Sequence, residues 1–245
     1  MDIFFKKGVD ILKNKKDKFN FRKFIKETDF KPLILDFIKW KLIDMYRYKK
    51  YGKPLNLFGI RCITGMYGQG KTMAMSKIAL DFRKKYGNDI YICSNYGLLI
   101  QDFAFTDTNQ LLQVYDKPVI FFWDEVQNTF PSSNKEFNPD VRRALTLNRK
   151  GKGKMFFWAS QDHELVAKTI RRLTIEYGQV RTLWGRYTRI KWYLSDDYQR
   201  LFDQVNVDKK MKIHPFKKEK FIQTDYIRGL YDSYAWDNGE KIEVK

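Results

Sequence analysis

The chain has 245 residues, enough for one α/β domain with additions, and 43% of them are hydrophobic, enough to bury a core. Its 47 Lys and Arg outweigh 29 Asp and Glu, and the formal net charge of +18 points to a polyanion: DNA, RNA or an anionic membrane surface. Two cysteines, Cys62 and Cys93, exclude a disulfide framework, and two scattered histidines, His163 and His214, propose no zinc site.

Residues 1–54 are a basic, aromatic-rich extension with sixteen Lys or Arg against seven Asp or Glu, so half the net charge lies in under a quarter of the chain. Its first residues have no signal-peptide h-region with a small-residue cleavage site. Leu33, Ile34, Phe37, Ile38, Leu42, Ile43 and Tyr46 recur at helical spacing with Lys31, Lys39, Lys41, Arg47 and Lys49 between them, which predicts an amphipathic helix. Such a helix packs on the rest of the protein, grips DNA or docks a partner, or lies on a membrane surface. The pattern does not choose among these.

From residue 58, strands and helices alternate. Phe58–Thr64 reads as a strand and Thr72–Phe82 as a helix. Between them, Gly65-Met66-Tyr67-Gly68-Gln69-Gly70-Lys71-Thr72 is a complete G-x-x-x-x-G-K-[ST] phosphate loop in the strand–loop–helix setting that gives the pattern its mechanism. The glycines let backbone N–H groups curl around a polyphosphate, and the helix N-terminus adds its partial positive charge. Lys71 is the residue to reach the β- and γ-phosphates of ATP, and Thr72 to ligate Mg²⁺.

A strand at Asp89–Ser94, a helical stretch near Asn109–Tyr115 and a strand at Pro118–Trp123 follow. The last of these ends in Asp124-Glu125, which places Asp124 at the carboxyl end of a buried strand to hold Mg²⁺. Glu125 is positioned to polarise the water that attacks the γ-phosphate. A small-molecule kinase, which must exclude water, needs no such base.

Next come a helix from Pro139 to about Arg149 and the strand Met155–Ser160, whose tip carries Gln161, either a γ-phosphate sensor or a cap for the helix expected around Glu164–Arg172. After Arg149, the lysines Lys150, Lys152 and Lys154 alternate with glycines in a loop expected beside the ATP site, suited to gripping nucleic-acid phosphates or to plain solvation. Arg149, Arg171 or Arg172 could serve as an arginine finger towards a neighbouring subunit; Arg171 and Arg172 would equally complement a helix C-terminus. Near-continuous apolar strands separated by helices predict a mostly parallel sheet covered on both faces. Glu176–Trp184 and Tyr187–Leu194 alternate and join at Gly185-Arg186, an antiparallel hairpin. Residues 196–245 are polar and basic, and no compact fold is assigned to them. No apolar run is long enough to cross a bilayer, so a soluble, cytoplasmic protein is expected, in the host cytoplasm if viral.

Taken together, Ile63–Thr72, Ser94-Asn-Tyr-Gly-Leu98, Trp123-Asp-Glu-Val-Gln127 with Phe130-Pro131, Asn148-Arg-Lys150, Ala159-Ser-Gln161 and Ile170-Arg171 resemble the Zot-like ATPases of phage assembly, in the FtsK–HerA group of P-loop motors. The resemblance spans residues 58 to about 195. It implies a RecA-like P-loop NTPase core, here 55–195, which the residues themselves flank with a basic helical N-terminal extension at 1–54 and a basic C-terminal extension at 196–245. It also implies a homo-oligomeric ring that moves or extrudes DNA, and the positive charge makes that binding one of phosphate contacts that read no bases. Asp124 and Glu125 become the metal and water residues, Gln161 the sensor, and Arg149 or Arg171 the finger. Filamentous-phage members carry a membrane span after the core and this chain has none. That leaves room for a genome-packaging motor, with a portal-like or membrane protein as a further partner. A membrane-associated assembly ATPase and a non-hydrolysing, nucleotide-gated DNA-binding scaffold are the alternatives.

Overall fold

The computed structural model describes residues 30–52, 55–133, 137–203 and 213–232. The extension before Phe30 and the last residues after Asp232 lie outside the described residues. The chain divides into two compact units, Met1–Pro54 and Leu55–Lys245. The first contains α1 (Phe30–Tyr51), the helix expected from the apolar spacing, with Lys49 and Lys50 in its last turn.

The second unit is built on one eight-stranded sheet, in the order β3-β2-β4-β5-β1-β6-β7-β8. β1 (Gly59–Thr64), β2 (Tyr91–Ser94), β3 (Phe103–Ala104), β4 (Val119–Trp123), β5 (Lys154–Ser160) and β6 (Glu176–Leu183) run parallel to one another. β7 (Tyr187–Leu194) and β8 (Lys217–Ile222) pair antiparallel beyond β6, and β6, β7 and β8 form an antiparallel wing. This is the α/β fold expected, with its hairpin.

Helices cover both faces. α2 (Lys71–Tyr86) packs with Ile63, Phe122, Phe157, Val180 and Ile190 on one face. On the other, α3 (Pro139–Thr146), α4 (Lys168–Leu173) and α5 (Ser195–Asp203) cover Cys62, Phe121, Phe156, Trp158 and Tyr177. Successive residues of β4 thus feed opposite cores: Phe121 stacks on Phe156 at 5.1 Å and Phe122 on Phe157 at 5.2 Å between ring centroids. Cys62 and Cys93 are buried free thiols, and burial pushes both pKa values up.

Three sequence expectations are modified. The helix expected near Asn109–Tyr115 is a single 3-10 turn, Thr108–Leu111, started by a capping box between Asp107 and Gln110. The helix expected over Glu164–Arg172 is broken: His163–Leu165 is a 3-10 turn, and α4 begins only at Lys168. The break has a tertiary cause, because Val166 pairs with Pro131 and the Ala167 N–H donates to the Phe130 carbonyl at 2.9 Å. Within 196–245, for which no compact fold was assigned, α5, β8 and α6 (Asp225–Arg228) pack on the sheet.

Candidate active site

Strand order decides which side chains meet. β5 lies between β1 and β4, with Thr64 opposite Ser160 and Trp123 opposite Trp158. The carboxyl ends of these three strands therefore project Gly65, Gln161 and Asp124-Glu125 from one edge.

The loop itself is shaped by close approach. A Cβ on Gly65 would sit 2.9 Å from the Val180 carbonyl oxygen, and one on Gly70 would sit 2.9 Å from Thr182 Oγ1. Gly70 also has φ +82° as it caps α2, and Gly68 has φ +69°, conformations that only glycine adopts freely. Met66 and Tyr67 are exposed at the loop's crest. Lys71 is 7% exposed, and its Nζ donates to the Gly65 carbonyl at 3.2 Å, folded back across the loop.

Thr72 Oγ1 donates to Asp124 Oδ2 at 2.5 Å, so the two expected metal ligands are in contact. Burial raises the Asp124 pKa, opposed chiefly by the Thr72 hydrogen bond. The backbone of Asp124 is clamped by Asn95, whose Oδ1 accepts the Asp124 N–H at 2.7 Å and whose Nδ2 donates to the Asp124 carbonyl at 2.9 Å. The chain then turns at Glu125, a non-glycine residue at φ +48°. Its carboxylate accepts hydrogen bonds from Gln161 Nε2, at 3.2 Å to Oε1, and from Gln127 Nε2 to Oε2. Glu125 is thus held by two neutral amides. Glu125 and Trp184 are the two non-glycine residues at positive φ among the described residues, and such a backbone is unfavourable unless its surroundings hold it.

Thr182 of β6 was missed by sequence reading. Its Oγ1 donates to the Gln69 carbonyl at 2.8 Å and its N–H to Gln69 Oε1 at 3.1 Å. Behind it, buried Gln223 donates to Thr188 Oγ1 at 2.8 Å and accepts from Arg228. The phosphate loop is therefore bonded to the antiparallel wing and, through it, to the segment after β8. That segment also reaches the loop after β2, which carries Asn95: Leu99 N–H donates to the Leu230 carbonyl, and Tyr231 meets Tyr96 edge-on at 5.7 Å. Burial, then the negative Asp124 nearby, raises the Tyr231 pKa. Asn95 and Gln127 stood inside the motif segments; Thr182, Gln223 and Tyr231 had no local signal.

The remaining expected residues do not join this cluster within the chain. The Arg149 guanidinium lies 5.3 Å over the ring of Phe58, at the amino end of β1 and so at the edge of the sheet opposite the phosphate loop. Lys150 and Lys152 line a cavity of about 380 Å³ there, with Leu111, Tyr115 and Arg143. The Gly/Lys loop is therefore not beside the phosphate loop. Lys154 is committed locally: its Nζ donates to the Leu111 carbonyl at 2.5 Å, and burial lowers its pKa. Arg171 lines a separate cavity of about 520 Å³ with His163, Tyr177 and Tyr198, and its buried Nε has no hydrogen-bond partner.

The donor set suits a hard divalent cation. Thr72 and Asp124 supply two oxygens, and Mg²⁺ characteristically takes one or two protein oxygens together with phosphate oxygens and water. No group of three or more His, Cys, Asp or Glu able to hold a metal occurs among the described residues. No described helix is long and apolar enough to cross a membrane.

Neither a protein-family model nor a curated protein matches the sequence. Among solved structures, the chain is similar to the N-terminal domain of zonular occludens toxin from Neisseria meningitidis, at 20% identity and a TM-score of 0.48 over 72% of this chain and 100% of that one. It is similar to the genome packaging NTPase of Sulfolobus turreted icosahedral virus 2 in complex with ATP-γS, at 14% identity and a TM-score of 0.39 over 51% of this chain and 76% of that one. It is also similar to the pCW3 conjugation coupling protein TcpA with ATP-γS, at 12% identity and a TM-score of 0.37 over 57% of this chain and 58% of that one.

Proposed function

We propose that this chain is a Mg²⁺-dependent ATPase that acts in a homo-oligomeric ring to move DNA, in viral genome packaging or in the DNA transfer of a phage or mobile element. The observation that carries the reading is the Glu125 carboxylate, held by Gln161 and Gln127 one residue from the Thr72–Asp124 pair. A binding-only switch has little use for an oriented carboxylate at that position.

The residues divide the work as follows. Backbone N–H groups of Gly65–Thr72 bind the polyphosphate, and Lys71 exchanges the Gly65 carbonyl for β- and γ-phosphate oxygens. Thr72 and Asp124 hold Mg²⁺, which when bound neutralises charge on the phosphates. Glu125 accepts a proton from the attacking water. Gln161, bonded to the same carboxylate, orients that water and senses whether a γ-phosphate is present. With a net charge of +18 the chain attracts a nucleic-acid backbone without reading bases. Arg149 and Arg171, both outside their own chain's cluster, are the residues that could act on a neighbouring copy's ATP.

The test is ATP turnover with and without long double-stranded DNA, in the wild type and Glu125→Gln. The expected result is turnover that rises with DNA and falls by about 10²- to 10⁴-fold in the variant, with ATP still bound. Wild-type turnover indifferent to DNA would remove DNA as the track. Full turnover in Glu125→Gln would remove Glu125 as the base.

A further inference from the structure

Five cations stand in register on one face of the antiparallel wing. Arg181 is opposite Arg189 and Arg189 opposite Lys220; Lys191, in the next row, lies between Gln179 and Lys218. Side chains alternate across a strand, so all five share a face. The other face, with Val180, Ile190 and Trp192, is buried in the core that includes α2. Arg181, Lys218 and Lys220 are exposed, and Arg189 and Lys191 half-buried. None of the five makes an ion pair among the described residues.

This arrangement is unfavourable on its own. Like charges directly opposite each other on adjacent strands repel, and here three stand in one row. Neighbouring strands lie about 4.8 Å apart and same-face residues about 6.7 Å apart along a strand, so the cations form a regular lattice rather than a scatter of solvated lysines. The hairpin tip adds a second feature. Trp184 is 89% exposed and sits at φ +49°, a conformation unfavourable for a bulky side chain, with its ring 6.0 Å from that of Tyr187. Rows of cations ending in an exposed Trp184 beside a half-buried Tyr187 match a nucleic-acid strand: phosphates for the lattice and base faces for the indole. A lone phosphate would use neither the length of the lattice nor the aromatics.

We infer that this face is the nucleic-acid track, binding the phosphate backbone through Arg181, Arg189, Lys191, Lys218 and Lys220 and stacking bases on Trp184. The inference rests on the reading of the chain as a DNA-coupled ATPase, and it moves the contact from the Gly/Lys loop to the opposite edge of the sheet. It also supplies a route for coupling. Arg181, Arg189 and Lys191 line a cavity of about 560 Å³ with Gly65, Met66 and Gln161. On β6, Arg181 faces the track while the next residue, Thr182, grips Gln69 of the phosphate loop. Adjacent residues of β6 thus serve the cation face and the phosphate loop.

The test is fluorescence anisotropy of a labelled single strand and a labelled duplex, titrated with salt. The wild type is compared with Arg181→Gln/Arg189→Gln/Lys218→Gln/Lys220→Gln. Lys150→Gln/Lys152→Gln tests the rival loop, and Lys84→Gln/Lys85→Gln, at the exposed end of α2, tests net charge alone. The ladder variant should bind at least tenfold more weakly at low salt. Its log–log salt slope for duplex should be shallower by about 3 to 4, at roughly 0.9 per phosphate contact. Circular dichroism checks its fold; should it not fold, Lys218→Gln/Lys220→Gln is read in its place, with a slope shallower by about 2. Trp184→Ala should weaken the single strand. Binding that is unchanged in the ladder variant but lost in Lys150→Gln/Lys152→Gln would overturn the track and leave the DNA-coupled ATPase standing. A wild type that binds neither oligonucleotide, or binds only vesicles of anionic phospholipid, would overturn the DNA reading and the track with it.

Discussion

The parallel half of the sheet and its antiparallel wing solve different problems with the same backbone. In β4 all five residues are buried, because helices cover both faces, so a polar side chain can stand only at a strand end. That is where Asp124, Glu125 and Gln161 are found, bonded to one another and to Thr72. In the wing one face is buried, and the other, covered by α5 at Tyr177 and Tyr193, carries a lattice of cations beyond that cover; Gly178, whose Cβ would lie 3.0 Å from the Trp192 ring, lets β6 and β7 pack closely. The candidate site thus sits at the ends of doubly covered strands, and the cations where the cover of one face stops. The Thr182–Gln69 contact joins the two.

The sharpest way to break this contrast is to truncate one side chain in each region. Phe122→Ala, in the parallel core, should cost about 3–5 kcal/mol in denaturant-midpoint measurements. Lys220→Ala, on the open face, should stay within about 0.5 kcal/mol. Equal costs would mean that the wing's outer face is packed. At the joint, Thr182→Val keeps the shape and removes the hydroxyl. Calorimetric ATP affinity should fall about fivefold to tenfold, the worth of one hydrogen bond of roughly 1 to 1.5 kcal/mol, and unchanged affinity would cut the wing from the site.

Asp124 gives a pH signature to the parallel half. Its carboxyl is raised above 3.8 by burial, so the folded chain holds that proton more tightly than the unfolded one. Stability from this group is therefore lost as pH rises from the ordinary carboxylate value through the raised one. Asp124→Asn should flatten that part of a melting-temperature profile and raise the melting temperature above it, while abolishing turnover. A variant that melts lower at neutral pH would show that the charge is compensated. The smallest effect belongs to the hairpin tip. Trp184→Gly relieves a left-handed backbone and should stabilise by no more than about 1 kcal/mol, a few degrees in thermal unfolding.

Much of the site was legible because its signals are local. The phosphate loop is eight consecutive residues, and an apolar run ending in Asp124-Glu125 or in Gln161 announces a strand tip by itself. Other features depended on distant chain. The expected helix over Glu164–Arg172 broke because Pro131 and Phe130 engage Val166 and Ala167 in extended pairing. β8 reads as a charged tract, Lys217-Lys-Glu-Lys-Phe-Ile222, and becomes a strand because β7 offers it an edge. The Gly/Lys loop read as a neighbour of the phosphate loop, yet it enters β5 at the amino end, the far edge of the sheet.

By itself, then, the sequence determined the α/β alternation, the phosphate loop, the acidic strand end and the positive charge, all written in contiguous residues and in periods of two or of 3.6. The tertiary structure decided that Gln161 meets Glu125, that Thr182 holds Gln69, and that Arg181, Arg189 and Lys220 fall in one row. Those contacts follow from strand order and register, which are set by burial summed over the whole sheet.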